Sequence, residues 1–387
     1  MSLPEQHKAI ILSSNQSPLD LSVQLIPTPK PTPGSAIVRV LSTYIFPYVA
    51  DIFTSKRRLL SPIVVPITPG NGAIGRVASV GPDAVSLKEG DFVLIDPNVR
   101  ARDDPSVTML PGFMILEPRA QKLMDDEWRN GSYAEYARFP LENLFPLSEK
   151  ILLEKMSYSV YELNFMTTLI VPFGGLTDID VKPGETVIVA PATGLFGGSA
   201  VPMALAMGAR VIAAGRNKER LESMKNNFGT AYGDRLDIVT LVGDVAKDAE
   251  ALRKATPDGQ GADAYVDFSP PAAAGSTHIK SCIMVLKNGG RATFMGGIHG
   301  DVSIPYFLVM AKSIRIHGKL MYDRATVVRL IGMAEAGLLK LGKEGGLKVA
   351  GSYGLDEIET ALEVAAKYPE FGRAVFLAPW TDLLCNL

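Results

Sequence analysis

Two glycine clusters in this chain have spacings that could hold a nucleotide. In PGNGAIG, Gly70, Gly72 and Gly75 spell G-x-G-x-x-G, the pattern of a dinucleotide-binding turn. In APATGLFGGSA, Ala190 to Ala200, a second cluster competes with it. Such a turn works when a strand leads into it and a helix leaves it. The glycines then let the backbone approach a pyrophosphate, and the free N–H groups of the helix start face the anion. PGNGAIG is followed by RVASVGP, an alternating strand-like run, so it is read as a turn entering a strand and its match to the pattern as coincidence. The second cluster follows the apolar run ETVIVA and precedes a helix of small apolar residues from Ser199 to Gly208. Thr193, Gly194, Leu195, Phe196 and Gly197 are therefore expected to line a pyrophosphate.

The end of the next strand selects the cofactor. An NAD site normally places a carboxylate about 20 residues beyond the glycines, where it accepts from the ribose 2′-hydroxyl. Here VIAAGRNKERLE offers Gly215 and Arg216, then Asn217, Lys218 and Arg220. A guanidinium without a carboxylate favours the 2′-phosphate of NADPH (NADP+) through charge-assisted hydrogen bonds. Ligands of open parallel sheets gather at the carboxyl ends of the strands. Asp244 is thereby a candidate for the adenine side, and Ser269, Gly296 and Gly297 for the nicotinamide side.

These positions need a parallel sheet to hold them, and the sequence supplies one. From about Glu185 onward, continuously apolar runs alternate with helical patterns: ARVIAAGR, LDIVTLVGD, ADAYVDFSP, GRATFMGG and SIRIHGKLMY. Such strands are buried on both faces, with helices covering each side. The first 150 residues are different, with short apolar runs (KAIIL, SAIVRVLSTYI, GRVASVG, DFVLID) cut by proline and glycine, the texture of a β-rich domain. Asn98 to Gly131 reads as a long irregular loop with a short helix. The tail alternates amphipathic helices with a last strand, GRAVFLAP.

Composition excludes several function classes. Lys and Arg number 39 against 41 Asp and Glu, a net charge of −2, which gives no electrostatic drive toward nucleic acid or an anionic membrane. The basic knot SKRR, Ser55 to Arg58, reads as a solvated loop. No apolar run reaches the ~20 residues of a membrane span, and no signal peptide is evident, so the expected location is the cytoplasm. The two cysteines, Cys282 and Cys385, form no disulfide framework. His7, His278, His299 and His317 stand apart from one another without the spacing of a metal site, and no metal is expected.

The layout resembles the medium-chain dehydrogenase/reductase superfamily over nearly the whole chain. The resemblance is carried by VKPGETVIVAPATGLFG, GDFVLID, NGSYAEYARFP and NGGRATFMGG, in that family's elements. It implies an α/β fold: a Rossmann-type doubly wound parallel sheet (161–320) plus a β-rich GroES-like catalytic domain (1–160, completed by 321–387). In zinc-dependent members one metal ligand is a Cys three residues before an Asp, and another is the His of G-H-E. The matching stretches here, YIFPYVAD and GNG, place Tyr48 and Asn71 at those positions. The chain is thus similar to the zinc-free quinone-oxidoreductase and enoyl-reductase branches. The resemblance makes Tyr48 and Asn71, with Tyr44 as an alternative phenol, the candidates for catalytic hydrogen-bond donors. The implied activity is NADPH-dependent hydride transfer to a small carbonyl, enone or quinone in the cleft between the domains. With both metal ligands lost, an idle NADPH-binding sensor or scaffold is the alternative. A homodimer through SIRIHGKLMY is implied by family habit and not by the residues.

Overall fold

The computed structural model describes residues 3–57 and 63–380, so Arg58 and Cys385 lie outside the described residues. The chain divides into two compact units. One comprises Met1–Thr167, Lys348–Pro369 and Arg373–Leu387; the other comprises Thr168–Leu347 and Glu370–Gly372.

The first unit opens with an antiparallel ribbon, β1 (Gln6–Ser14) and β2 (Asp20–Pro27). Its main sheet is organised around β3 (Ser35–Ile45), whose residues are buried along its whole length apart from Arg39. A strand buried on both faces can sit only at the centre, and β3 pairs with β4 (Ala73–Val80), with β9 (Tyr136–Pro140) and with the C-terminal β18 (Arg373–Leu377). β4 continues to β5 (Phe92–Ile95) and β10 (Leu144–Pro146). Val38, Val40, Ala73, Val77, Val93, Ile95 and Phe139 fill the space on one side of this sheet. Short helices interrupt it: α1 (Val49–Phe53), α2 (Gln121–Asp125) and α3 (Val160–Asn164).

The segment 98–131 departs from the expected loop. It forms a small antiparallel sheet of β6 (Val99–Arg100), β7 (Thr108–Leu110) and β8 (Met114–Ile115), followed by α2. Strands of two or three residues are too short for an alternating pattern to register in sequence, yet Val99, Met109 and Leu110 are buried and hold the sheet down.

After α4 (Met166–Asp178), the second unit alternates strand and helix: β11 (Thr186–Ala190), α5 (Leu195–Ala206), β12 (Arg210–Gly215), α6 (Lys218–Tyr232), β13 (Leu236–Thr240), α7 (Val245–Ala255), β14 (Ala262–Asp267), α8 (His278–Val285), β15 (Leu286–Phe294), α9 (Tyr306–Ala311), β16 (Arg315–Gly318) and α10 (Arg324–Glu335). All six strands are parallel, in the order β13-β12-β11-β14-β15-β16, the doubly wound arrangement that the apolar runs predict. The strand order reverses between β11 and β14, which makes the carboxyl end of β11 the switch point where such sheets take ligands.

The return to the first unit comes later than the 321 expected from sequence. Residues up to Leu347 stay with the parallel sheet because α10 and the turn after it are tied there. Arg329 lies 5.5 Å over the Phe173 ring, and Lys340 donates from its backbone to the Tyr232 hydroxyl (3.0 Å) and from Nζ to the Ala231 carbonyl (2.8 Å). The chain then forms β17 (Lys348–Tyr353), α11 (Ile358–Ala366) and β18 (Arg373–Leu377), a parallel pair whose β18 zips antiparallel onto β3. Sequence reasoning missed β17, whose KVAGSY lacks a clear apolar pattern. Among the described residues, no helix is long and apolar enough to cross a membrane.

One buried group makes the fold pH-sensitive. His7, on β1, is 2 % exposed, its Nδ1 has no partner among the described residues, and burial pushes its pKa down to about 4. The unfolded imidazole titrates near its ordinary value, about 6.5, so the unfolded state binds more protons between those two values. Stability is therefore full above pH 6.5 and falls as the pH drops toward 4. Urea unfolding is expected to show a loss of roughly 2 kcal/mol between pH 7 and 4.5 that a His7→Gln variant lacks; an identical slope in both would contradict this assignment.

Candidate active site

Asn71 is placed by backbone packing. The glycines of PGNGAIG let chain segments cross. A Cβ on Gly70 would collide with the backbone of Ser132, one on Gly131 would come within 2.7 Å of the Gly70 nitrogen, and one on Gly112 within 2.7 Å of Gly131. A Cβ on Gly72 would meet the Thr167 side chain at 2.6 Å. Ser132 then fastens the crossing. Its hydroxyl accepts from the Asn71 backbone N–H (3.0 Å), donates to the Asn71 carbonyl (2.7 Å) and lies 2.6 Å from the Thr43 hydroxyl. Next along the chain, the Tyr133 hydroxyl donates to the Tyr44 carbonyl at 3.1 Å. NGSYAEYARFP is quoted above only for its family flavour; its Ser132 and Tyr133 are the residues that hold Asn71 and β3, and no spacing rule reveals such a partnership.

Around this crossing the structure brings the three sequence-derived candidates into one aromatic cluster of the first unit. Tyr44, on β3, is 2 % exposed and packs edge-on against Phe376 at 5.6 Å. Tyr48 leads into α1, its ring parallel to that of Phe46 at 5.7 Å, with the Arg57 guanidinium 3.9 Å over it. Burial raises all three phenols of the cluster, Tyr44, Tyr48 and Tyr133, above the usual tyrosine value. For Tyr48 burial is the larger influence and the Arg57 cation opposes it, leaving the phenol at about 12. Tyr48 is thus a protonated hydrogen-bond donor at every physiological pH. Asn71 is 4 % exposed; its amide approaches the Tyr133 hydroxyl closely enough to favour that group's ionised form, yet among the described residues Nδ2 has no acceptor in full hydrogen-bond geometry. A buried donor without an acceptor costs about 1–3 kcal/mol, a cost met where a ligand atom completes the bond.

This donor set does not fit a zinc ion. Zinc sites draw on thiolate, imidazole and carboxylate, and a carboxamide beside a phenol of raised pKa offers none of these. Among the described residues no three His, Cys, Asp or Glu side chains gather in a way that could hold a metal.

The second unit fits a dinucleotide. α5 begins one turn earlier than the sequence suggests, with Gly194 as its N-cap, so Leu195, Phe196 and Gly197 are its first turn and not part of a preceding loop. No side chain caps that end, which leaves its first N–H groups for an anion. A Cβ on Gly197 would collide with the Pro191 carbonyl, whereas Gly194 faces open space. Thr193 packs beside Gly215, where an added Cβ would come within 3.3 Å of it. Arg216, just past β12, is exposed and makes no ion pair with a described residue. Its neighbours do structural work: Asn217 caps α6 by accepting from Arg220 N–H at 2.9 Å, and Lys218 pairs with Glu222 at 3.7 Å. Asp244 likewise caps α7, accepting from Lys247 N–H at 2.9 Å.

At the end of β14 a buried polar chain appears that sequence spacing concealed. The Ser269 hydroxyl lies 2.5 Å from the Asp267 carboxylate and 2.8 Å from His278 Nε2, while His278 Nδ1 lies 2.7 Å from the Ser276 hydroxyl. Because Ser269 gives its one proton to the carboxylate, Nε2 must be the donor to Ser269, and in the neutral ring Nδ1 accepts from Ser276. A Cβ on Gly296 would come within 2.6 Å of both Asp267 and Ser269, and the Gly297 N–H donates to the Ser269 carbonyl at 2.8 Å. Ser269, Gly296 and Gly297 are therefore brought together, and His278, eleven residues from Asp267, is the lock.

Comparison with known proteins agrees with the two-part fold, a GroES-like unit and a parallel-sheet unit. A family model described as alcohol dehydrogenase GroES-like domain matches residues 32–149, and one described as zinc-binding dehydrogenase matches residues 196–336. The chain is 26 % identical over 350 residues to an L-threonine 3-dehydrogenase of Caldanaerobacter subterraneus subsp. tengcongensis, covering 88 % of this chain and 90 % of that protein. A thermostable alcohol dehydrogenase from Pyrobaculum aerophilum, solved with cobalt and zinc bound, shares the fold with a TM-score of 0.69 at 22 % identity, over 97 % of this chain and 100 % of that one. A Sinorhizobium meliloti 1021 protein solved with NADP superposes with a TM-score of 0.72 at 19 % identity, again over 97 % and 100 %.

Ser132→Ala removes the partner of two Asn71 backbone groups and of Thr43. It is expected to destabilise the fold by about 1–3 kcal/mol in urea unfolding; a change below about 0.5 kcal/mol, the size of an ordinary surface substitution, would contradict the hub role.

Proposed function

This chain belongs to the medium-chain dehydrogenase/reductase superfamily, and we propose that it is a zinc-independent, NADPH-dependent oxidoreductase reducing a small carbonyl, enone or quinone. The observation that carries the proposal is the donor set: where the resemblance puts two metal ligands, the chain presents a protonated phenol and an unpaired amide, Tyr48 and Asn71. Zinc would polarise the substrate oxygen as a Lewis acid; hydrogen-bond donors aimed at that oxygen serve the same developing charge.

NADPH, when bound, supplies the hydride. The residues to hold it are Thr193 to Gly197 at the α5 start, with Arg216 for the 2′-phosphate and Ser269, Gly296 and Gly297 at the strand ends. The Arg216 guanidinium is exposed, and no described carboxylate neutralises it. In the catalytic unit Tyr48 donates to the substrate oxygen and Asn71 adds a second donor, while Ser132 keeps the Asn71 backbone fixed. Tyr44, more deeply buried than Tyr48, backs the cluster.

The test is a panel of aldehydes, ketones, enones and quinones assayed with NADPH and NADH, products identified. Tyr48→Phe is expected to lower kcat by about 10²-fold, the usual loss of one oxyanion donor. Arg216→Ala is expected to reduce the preference for NADPH over NADH about tenfold, chiefly through KM. Stoichiometric NADPH binding with no turnover on any panel member would instead support an idle nucleotide-binding protein.

A further inference from the structure

Tyr48 does not stand alone: a cation lies on it. The Arg57 guanidinium sits 3.9 Å from the centre of the Tyr48 ring, and the Arg57 backbone N–H is tied to the Asp51 carbonyl at 2.9 Å, which brings the chain after α1 back toward the helix. Stacking on a ring occupies only the flat face of a guanidinium; its N–H donors stay at the edge, arranged as a fork that matches a carboxylate. No described carboxylate takes that fork. Asp51, the acidic residue of α1, makes no side-chain ion pair with it, and Lys56 beside it adds a second exposed cation without a described partner. The neighbouring rings are apolar: Phe46 lies parallel to Tyr48, and Phe113 packs on Phe46 at 6.0 Å. Phenol donor, aromatic wall and a guanidinium with no described ion-pair partner thus lie together in the first unit.

We propose that Arg57 selects the substrate: a carbonyl or enone compound that carries a carboxylate on an apolar body, with the carboxylate on the Arg57 fork and the reacting oxygen at Tyr48. This rests on the reading of Tyr48 as the donor to the substrate oxygen. It also gives the basic knot SKRR, otherwise a solvated loop, a purpose at its third residue. The same cation eases the Tyr48 proton, so Arg57 serves both binding and donor strength.

Two arms test it. In the first, wild type and Arg57→Gln are compared on benzaldehyde and 4-carboxybenzaldehyde. The wild type is expected to favour the carboxylate by about tenfold in kcat/KM, and the variant to lose that ratio through KM, with Arg57→Lys recovering part of it. A ratio near one in the wild type, or a preference that survives in Arg57→Gln, overturns the proposal. The second arm needs no turnover: benzoate binding, measured by calorimetry, is expected to weaken about tenfold in Arg57→Gln while benzyl alcohol binding shows no matching loss. If neither aldehyde is reduced yet benzoate binding depends on Arg57, the anion site stands and the oxidoreductase reading fails. Benzoate binding that is absent, or equal in both proteins, sinks the anion site whatever the turnover.

Discussion

The candidate catalytic unit depends on backbones passing one another too closely to admit a side chain. Gly70 lies against Ser132, Gly131 against Gly70, and Gly112 against Gly131, with no room for a single Cβ at any of the three. That crossing brings the loop before β4, the start of the segment leading into β9 and the small β6-β7-β8 sheet to one point. Ser132 locks it with hydrogen bonds to both backbone groups of Asn71. Everything chemical in the first unit follows: Asn71 is held rigid, Tyr133 reaches the carbonyl of Tyr44, and β3 carries Tyr44 to the turn that ends in Tyr48. A site built on strands and locked turns loses little entropy when it meets its ligand, the preorganisation that electrostatic catalysis requires.

The second unit obeys the same logic with different means. Its glycines also mark close approach, but here Gly197 under the Pro191 carbonyl lets α5 start tight against β11, leaving uncapped N–H groups at the switch point of the sheet. Further along, Asp267, Ser269 and His278 bind the end of β14 to α8, and Gly296 and Gly297 close on them from β15. Glycine patterns with similar spelling therefore serve two purposes in one chain. The deciding feature is the element that follows: β4 after Gly72, α5 after Gly194.

How much of this was legible in the sequence depends on range. The six parallel strands and their helices were readable because strands buried on both faces are continuously apolar, and the strand–turn–helix context located the α5 turn. The helix start was misplaced by a turn because Leu195 and Phe196 look like loop residues until Gly194 is seen as the cap. Tyr48 and Asn71 came only through family resemblance. Ser132 and Tyr133, about sixty and ninety residues from their partners Asn71 and Tyr44, carry no local signal. His278 reads as isolated in sequence because its partners lie on a strand end and a loop that only the fold brings together. The β6-β7-β8 sheet and β17 were hidden by brevity and by small residues, which blur the periodicity on which such inference rests.

Hydride transfer on the Tyr48 and Asn71 donors, as proposed, needs no metal, and zinc-dependent transfer does. The direct measurement is metal content by mass spectrometry on the purified protein, paired with NADPH-dependent turnover before and after exhaustive chelation. Reliance on the donors alone predicts zinc far below one per chain and activity unchanged by chelation. Stoichiometric zinc, with activity lost on chelation and restored by adding zinc back, would contradict it.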